Sequence, residues 1–141
     1  MNKISPSLQA LKRIAQSVPT PFHLYDRGAL IRRAQGLNQA FAWNPAYREY
    51  FAVKATPNPY LLEILKAQGC GVDCASLTEL MLARAVGFQG EQIMFSSNET
   101  PAEEFRLARE LGAIVNLDDI THIDFLRENG GIPRRICLRY N

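Results

Sequence analysis

Apolar and polar positions follow two different periods along this chain. From Tyr50 onward, short β-favouring runs recur at YFAVK (50–54), CGVDC (70–74), QIMFS (92–96), AIVNL (113–117) and RRICLRY (134–140). Each reads as a strand bounded by turn residues. The first four lead into segments with apolar residues at helical spacing, such as Phe105, Ala108 and Leu111, or Ile120, Ile123 and Leu126. Helix starts are marked by Asn58 ahead of Pro59, by a capping box at Ser76–Glu79, and by a second at Thr100–Glu103 with proline at the first helical position. Gly69, Gly87, Gly112 and Gly130 fall where each helix should stop, the usual place for a left-handed residue. Ahead of this series, Leu8, Leu11, Ile14 and Ala15 suit a short amphipathic helix opened by Ser5 and Pro6.

A βα unit of about 20 residues is thus used four times and followed by a fifth strand. Strands alternating with helices imply an α/β fold with a parallel sheet, and right-handed crossovers wind it in one direction. An open doubly wound sheet and a barrel are both allowed. The evenness of the repeat favours the barrel, and a complete (β/α)8 barrel takes roughly 250 residues. The expectation is the N-terminal portion of a TIM-type barrel, with about five of its eight strands.

Composition changes this picture little. With 47% hydrophobic and 21% charged residues, the 141-residue chain is ordinary for a soluble globular protein. A formal charge of +2, scattered along the chain, does not suggest a nucleic-acid surface. No apolar run approaches the roughly 18 residues of a membrane span, and residues 1–19 lack the apolar segment of a secretory signal. Cys70, Cys74 and Cys137 are an odd set without zinc-ligand spacing, which points to buried reduced thiols in a cytoplasmic protein and to no metal.

The candidate chemistry lies at the strand ends. In a parallel barrel the active face is built from the C-terminal ends of the strands. Read in order, those ends carry Lys54; Asp73 with Ser76; Ser96, Ser97 and Asn98; Asn116 and Asp118; and Arg139 and Asn141. Serine, asparagine and aspartate at such places cap the following helices. Lys54 and Arg139 cap nothing. A lysine after a strand ordinarily lays its stem on apolar surface with the ammonium in water, so the strand-end position alone leaves its role open.

The blocks YFAVKATPNPYLLEIL, GCGVDCASLTELMLA, IMFSSNETPAEEFRLARELG and CLRYN, in this order, resemble the N-terminal part of the fold-type III pyridoxal-phosphate decarboxylases. That family covers diaminopimelate, ornithine and arginine decarboxylases and shares its barrel with alanine racemase. PTPFHLYDRGAL resembles the segment that precedes the barrel, and the likeness spans about Pro19 to Asn141. It implies a leading helix, strand and helix in residues 1–45 and a partial barrel in 46–141. It also implies pyridoxal phosphate as cofactor, with Lys54 as the residue that forms the internal aldimine, because a primary amine is needed for an exchangeable imine. An apolar strand end would favour the neutral, nucleophilic amine by desolvation. Ala52 corresponds to a small residue beneath the cofactor ring. Asp73 and Arg139 match positions near the lysine and could form a charge-assisted pair.

Further implications are an amino-acid substrate and a homodimer in the full-length form. Thr56 stands where many diaminopimelate decarboxylases have asparagine, and Leu77 and Thr78 stand where they have a glycine pair. DCASLTEL is nearer to the ornithine branch; KATPNPYLLEIL and SSNETPAEE lean towards diaminopimelate enzymes. The ring-stacking histidine, glycine-rich phosphate loop, ring-nitrogen acid, catalytic cysteine and C-terminal β-domain of the family all lie further along than Asn141. Three readings follow: a truncated decarboxylase, diaminopimelate first; a racemase-like pyridoxal protein; or a non-catalytic fragment. An unfinished barrel is expected to turn apolar side chains from YFAV, IMF and AIV towards a half-formed core, leaving the isolated chain oligomeric or partly ordered.

Overall fold

The structure, a computed structural model, describes residues 5–140. It contains strands β1 (Tyr50–Ala52), β2 (Gly71–Cys74), β3 (Ile93–Ser97), β4 (Ile114–Leu117) and β5 (Ile136–Leu138). They form one parallel sheet in the order β1-β2-β3-β4-β5. Helices α3 (Pro59–Ala67), α4 (Leu77–Val86), α5 (Ala102–Glu110) and α6 (His122–Asn129) occupy the four crossovers, preceded by α1 (Leu8–Ser17) and α2 (Arg27–Ala40). Sequential neighbours joined by helical crossovers are the βα winding that the repeat predicts.

Helix starts and stops follow local chemistry, with three of them departing from expectation. Asn58 accepts from the amides of Tyr60 and Leu61 and opens α3. The Ser76 hydroxyl accepts from the Glu79 amide, while the Glu79 carboxylate reaches the Ala75 amide at 2.9 Å. The Thr100–Glu103 box does not form: Pro101 is the N-cap of α5, and the Thr100 hydroxyl donates back to the Ser97 carbonyl. Ser7, not Ser5, caps α1 through the Ala10 amide. Gly69, Gly87 and Gly112 take the left-handed conformation, but after α6 that role falls to Gly131, at φ +74°, instead of Gly130. Residues 20–26 contain no strand: Pro21 supplies no amide donor, and the segment runs into Asp26, which caps α2 through the Ala29 amide.

The core lies between the sheet and its helices. Val72, Cys74, Ile93, Phe95, Val115 and Leu117 turn to one face and pack with Leu62, Leu80, Ala83, Phe105, Ala108 and Leu126. Phe95 meets Phe105 edge-on at 6.2 Å. Residues alternating with these, Asp73, Met94, Ser96 and Asn116, face the other side of the sheet and are half-buried. This corrects the expectation for the apolar runs. Most of their bulk is spent beneath the helices, because period-two alternation sends Ile93, Phe95 and Val115 outward. Ile120 lies outside α6 and is largely exposed, so the apolar stripe of that helix reduces to Ile123 and Leu126. Ahead of the barrel strands, α2 packs its Leu30 and Ala34 against Leu65, Cys70 and Phe51.

Candidate active site

The polar groups at the carboxyl ends of β2 to β5 converge with Lys54 on one open cleft of about 750 Å³. Lys54, Asp73, Ser96, Asn98, Asn116 and Arg139 line it, together with Ala75, Ser97 and Glu99. Parallel register explains the convergence. Ser96 pairs with Asn116, and Asn116 pairs with Cys137, so these residues project to the same side of the sheet. The Asn116 amide donates to the Ser96 hydroxyl at 3.3 Å.

Lys54 is not the last residue of a strand. β1 stops at Ala52, and Val53–Ala55 forms a single 3₁₀ turn. The turn buries Val53 completely and swings Lys54 into the open cleft mouth, where it is exposed. The desolvated setting expected for its amine is therefore absent from this arrangement. Among the described residues its ammonium makes no hydrogen bond or ion pair, which leaves it able to turn towards a ligand.

Asp73 lies across the sheet from Ala52, with which it is in register. Burial raises its carboxyl above the ordinary value; the Ser96 hydroxyl and the Lys54 charge pull it back, Glu79 pushes it up, and Arg139 adds a smaller downward pull. One of its oxygens, Oδ1, is buried without a hydrogen-bond partner. Arg139 does not pair with Asp73. Its Nη1 lies 2.9 Å from Asp118 and 3.3 Å from Asn98. Asp118 follows β4, the strand beside Arg139, whereas Asp73 is on β2, so the nearer carboxylate takes the guanidinium. Ala52 sits beside Asp73 but is not in the cleft wall. Asn141 lies outside the described residues.

Cys70 and Cys74 are buried in the core, away from this chemistry, whereas Cys137 is only half-buried. Burial pushes the Cys74 thiol up to about 12, and it also raises that of Cys70. Such thiols pack as apolar side chains.

The chain matches the family described as pyridoxal-dependent decarboxylase, pyridoxal binding domain, over residues 27–141. It belongs to that family. It is 45% identical over 109 residues to Protein TabA of Pseudomonas amygdali pv. tabaci, covering 77% of this chain and 26% of TabA. It is 31% identical over 123 residues to a diaminopimelate decarboxylase of Bacteroides thetaiotaomicron, covering 86% of this chain and 32% of that enzyme. Among solved structures, the diaminopimelate decarboxylase of Helicobacter pylori complexed with L-lysine superposes with a TM-score of 0.77 at 29% identity, covering 93% of this chain and 34% of that one. The parallel sheet is the N-terminal portion of the barrel found in the decarboxylases among the solved structures. The chain spans a third or less of the curated relatives named above.

The cleft fits the family's cofactor, pyridoxal phosphate. It presents a free primary amine, a guanidinium, and a buried carboxyl oxygen without a donor, among hydroxyl and amide groups. Such a set suits an aldehyde-bearing, anionic and hydroxylated ring.

One contributor was not legible beforehand: Asp118 stood among the strand-end residues, but its hold on Arg139 appears only in three dimensions.

Proposed function

We propose that this chain is the cofactor-binding segment of a pyridoxal-phosphate-dependent amino-acid decarboxylase. Diaminopimelate is the first candidate substrate, with the ornithine or arginine branch as the alternative. The observation that carries the reading is the free amine of Lys54 in one cleft with Asp73 and Arg139. The diaminopimelate decarboxylases among the relatives and structural neighbours support the first candidate.

In this proposal Lys54 is the residue that would hold the cofactor, through Nζ. When bound, pyridoxal phosphate supplies an aldehyde and a ring that takes up electron density as carbon dioxide leaves. Asp73 lines the same cleft as Lys54 and its charge attracts the ammonium, biasing where Nζ rests. Arg139, steadied by Asp118 and Asn98 through Nη1, keeps other guanidinium N–H groups for an anionic group of the ligand. Ala52, in register with Asp73 on the neighbouring strand, is kept in the proposal as the small residue beneath the cofactor ring.

The proposal extends to residues 1–45 as a leading segment ahead of a barrel portion at 46–141, and to a homodimer of the full-length protein. A reducing cytoplasmic setting fits the three free cysteines, and no described helix is long and apolar enough to cross a membrane.

Trapping tests the central assignment. Pyridoxal phosphate followed by borohydride should leave a stable adduct that peptide mapping places on Lys54, and Lys54→Ala should abolish it. Label spread over surface lysines and unchanged in Lys54→Ala would refute the assignment. Carbon dioxide release from diaminopimelate, ornithine and arginine by the full-length protein then ranks the substrates.

A further inference from the structure

Glu104 has no role in the chemistry above, yet it is a buried charged side chain, 8% exposed, on the helix that follows the cleft residues Ser97, Asn98 and Glu99. It stands in the first turn of α5 and reaches to another element. Its Oε1 accepts from the Leu77 amide at 2.8 Å, while Oε2 is buried without a partner. Leu77 is the first residue of α4, where amides lack partners inside the helix.

The connection from β2 to α4 consists of Ala75 and Ser76 alone, and it is pinned at three amides. Glu79 holds that of Ala75, Ser76 holds that of Glu79, and Glu104 holds that of Leu77. The first two ties are local. The third comes from 27 residues away in the chain. Asp73 lies just before this connection and Ala75 within it, and Ser97, Asn98 and Glu99 lie just before α5, so Glu104 joins the two walls of the cleft.

A buried carboxylate with one oxygen unsatisfied is costly, and as a mere helix cap it could be replaced by an exposed residue at lower cost. We propose that Glu104 is a positioning residue, which sets the separation of the two cleft walls and thereby where Asp73 stands relative to Lys54. This rests on reading the cleft as the pyridoxal site, but one arm of its test needs no cofactor.

Glu104→Gln keeps an acceptor for the Leu77 amide, Glu104→Ala removes it, and Glu104→Met removes it while filling the space. By NMR on the cofactor-free protein, Leu77 amide exchange should be at least about tenfold faster in the Ala and Met variants, the scale of losing a hydrogen bond to a charged group. The Asp73 carboxyl titration should move towards its ordinary value in the same two variants. Gln should match the wild type in both measurements, which excludes loss of charge as the cause. With the cofactor, capture at Lys54 should weaken in Ala and Met and be restored in Gln.

Folded Ala and Met variants with wild-type Asp73 titration would overturn the proposal. So would failure of both to fold while Gln folds, since Glu104 would then be purely structural. Absence of adduct in the wild type would instead refute the cofactor reading, leaving the titration arm to decide on Glu104.

Discussion

Burial is the largest influence on the Asp73 carboxyl, and it raises the group above its ordinary 3.8 despite the nearby Ser96 hydroxyl, Lys54 and Arg139. A carboxyl raised by folding contributes stability below its unfolded value, and that contribution is lost as pH rises through the folded value. The wild type should therefore lose stability relative to Asp73→Asn as pH rises above the ordinary 3.8, because the amide cannot ionise. Thermal melts across that rise check it: the variant should melt higher at pH 7, and the gap should close towards pH 3. An equal gap at all pH values would mean that packing, not ionisation, separates the two proteins. The position of Asp73 was legible in the chain; its missing hydrogen-bond partner was not, because satisfaction of Oδ1 depends on groups from other strands.

The passage from β1 to β2 is constrained at the level of elements by Gly71. A Cβ at this position would lie 2.6 Å from the Gln92 carbonyl oxygen and 2.8 Å from two carbons of the Tyr50 ring. The ring could turn, but the carbonyl belongs to the backbone leading into β3 and cannot give cheaply. Gly71→Ala should destabilise the protein by about 1–3 kcal/mol through overpacking, with the loss read from urea midpoints. A midpoint unchanged from the wild type would show that β1 and β3 separate more readily than this packing implies. The glycines that end helices at 69, 87 and 112 could be recognised from spacing, since their role is local. Gly71 could not, because its constraint comes from two other strands.

For the molecule as a whole, helices cover one face of the sheet while β1 and β5 form its two edges. Leu138, at the end of β5, is 66% exposed and Tyr140 fully so. Unpaired parallel edges beside exposed apolar side chains recruit other strands. The 141-residue chain alone should therefore scatter light as a species larger than one chain at low micromolar concentration. Leu138→Lys should shift it towards the monomer, as charge on an edge strand opposes pairing. A sharply melting monomer would show that the edges are tolerated in water. The half-formed apolar interior expected from the sequence is not the cause, because Ile93, Phe95 and Val115 are already buried under the helices.

What the sequence by itself determined is everything carried by local spacing. The five strand positions, most helix starts and stops, and the placing of Lys54, Asp73 and Arg139 at one end of the sheet all follow from periodicity and capping within about 20 residues of chain. Only the tertiary structure decided which of these groups meet. Arg139 chose Asp118 and Asn98 over Asp73, Lys54 was carried into the open by a 3₁₀ turn, and Glu104 reached Leu77 across two elements. The physical reason is range. Capping and amphipathicity act between residues a few positions apart, whereas ion pairing and burial are settled by register between strands and by helix packing, which here bring together residues 21 to 41 positions apart.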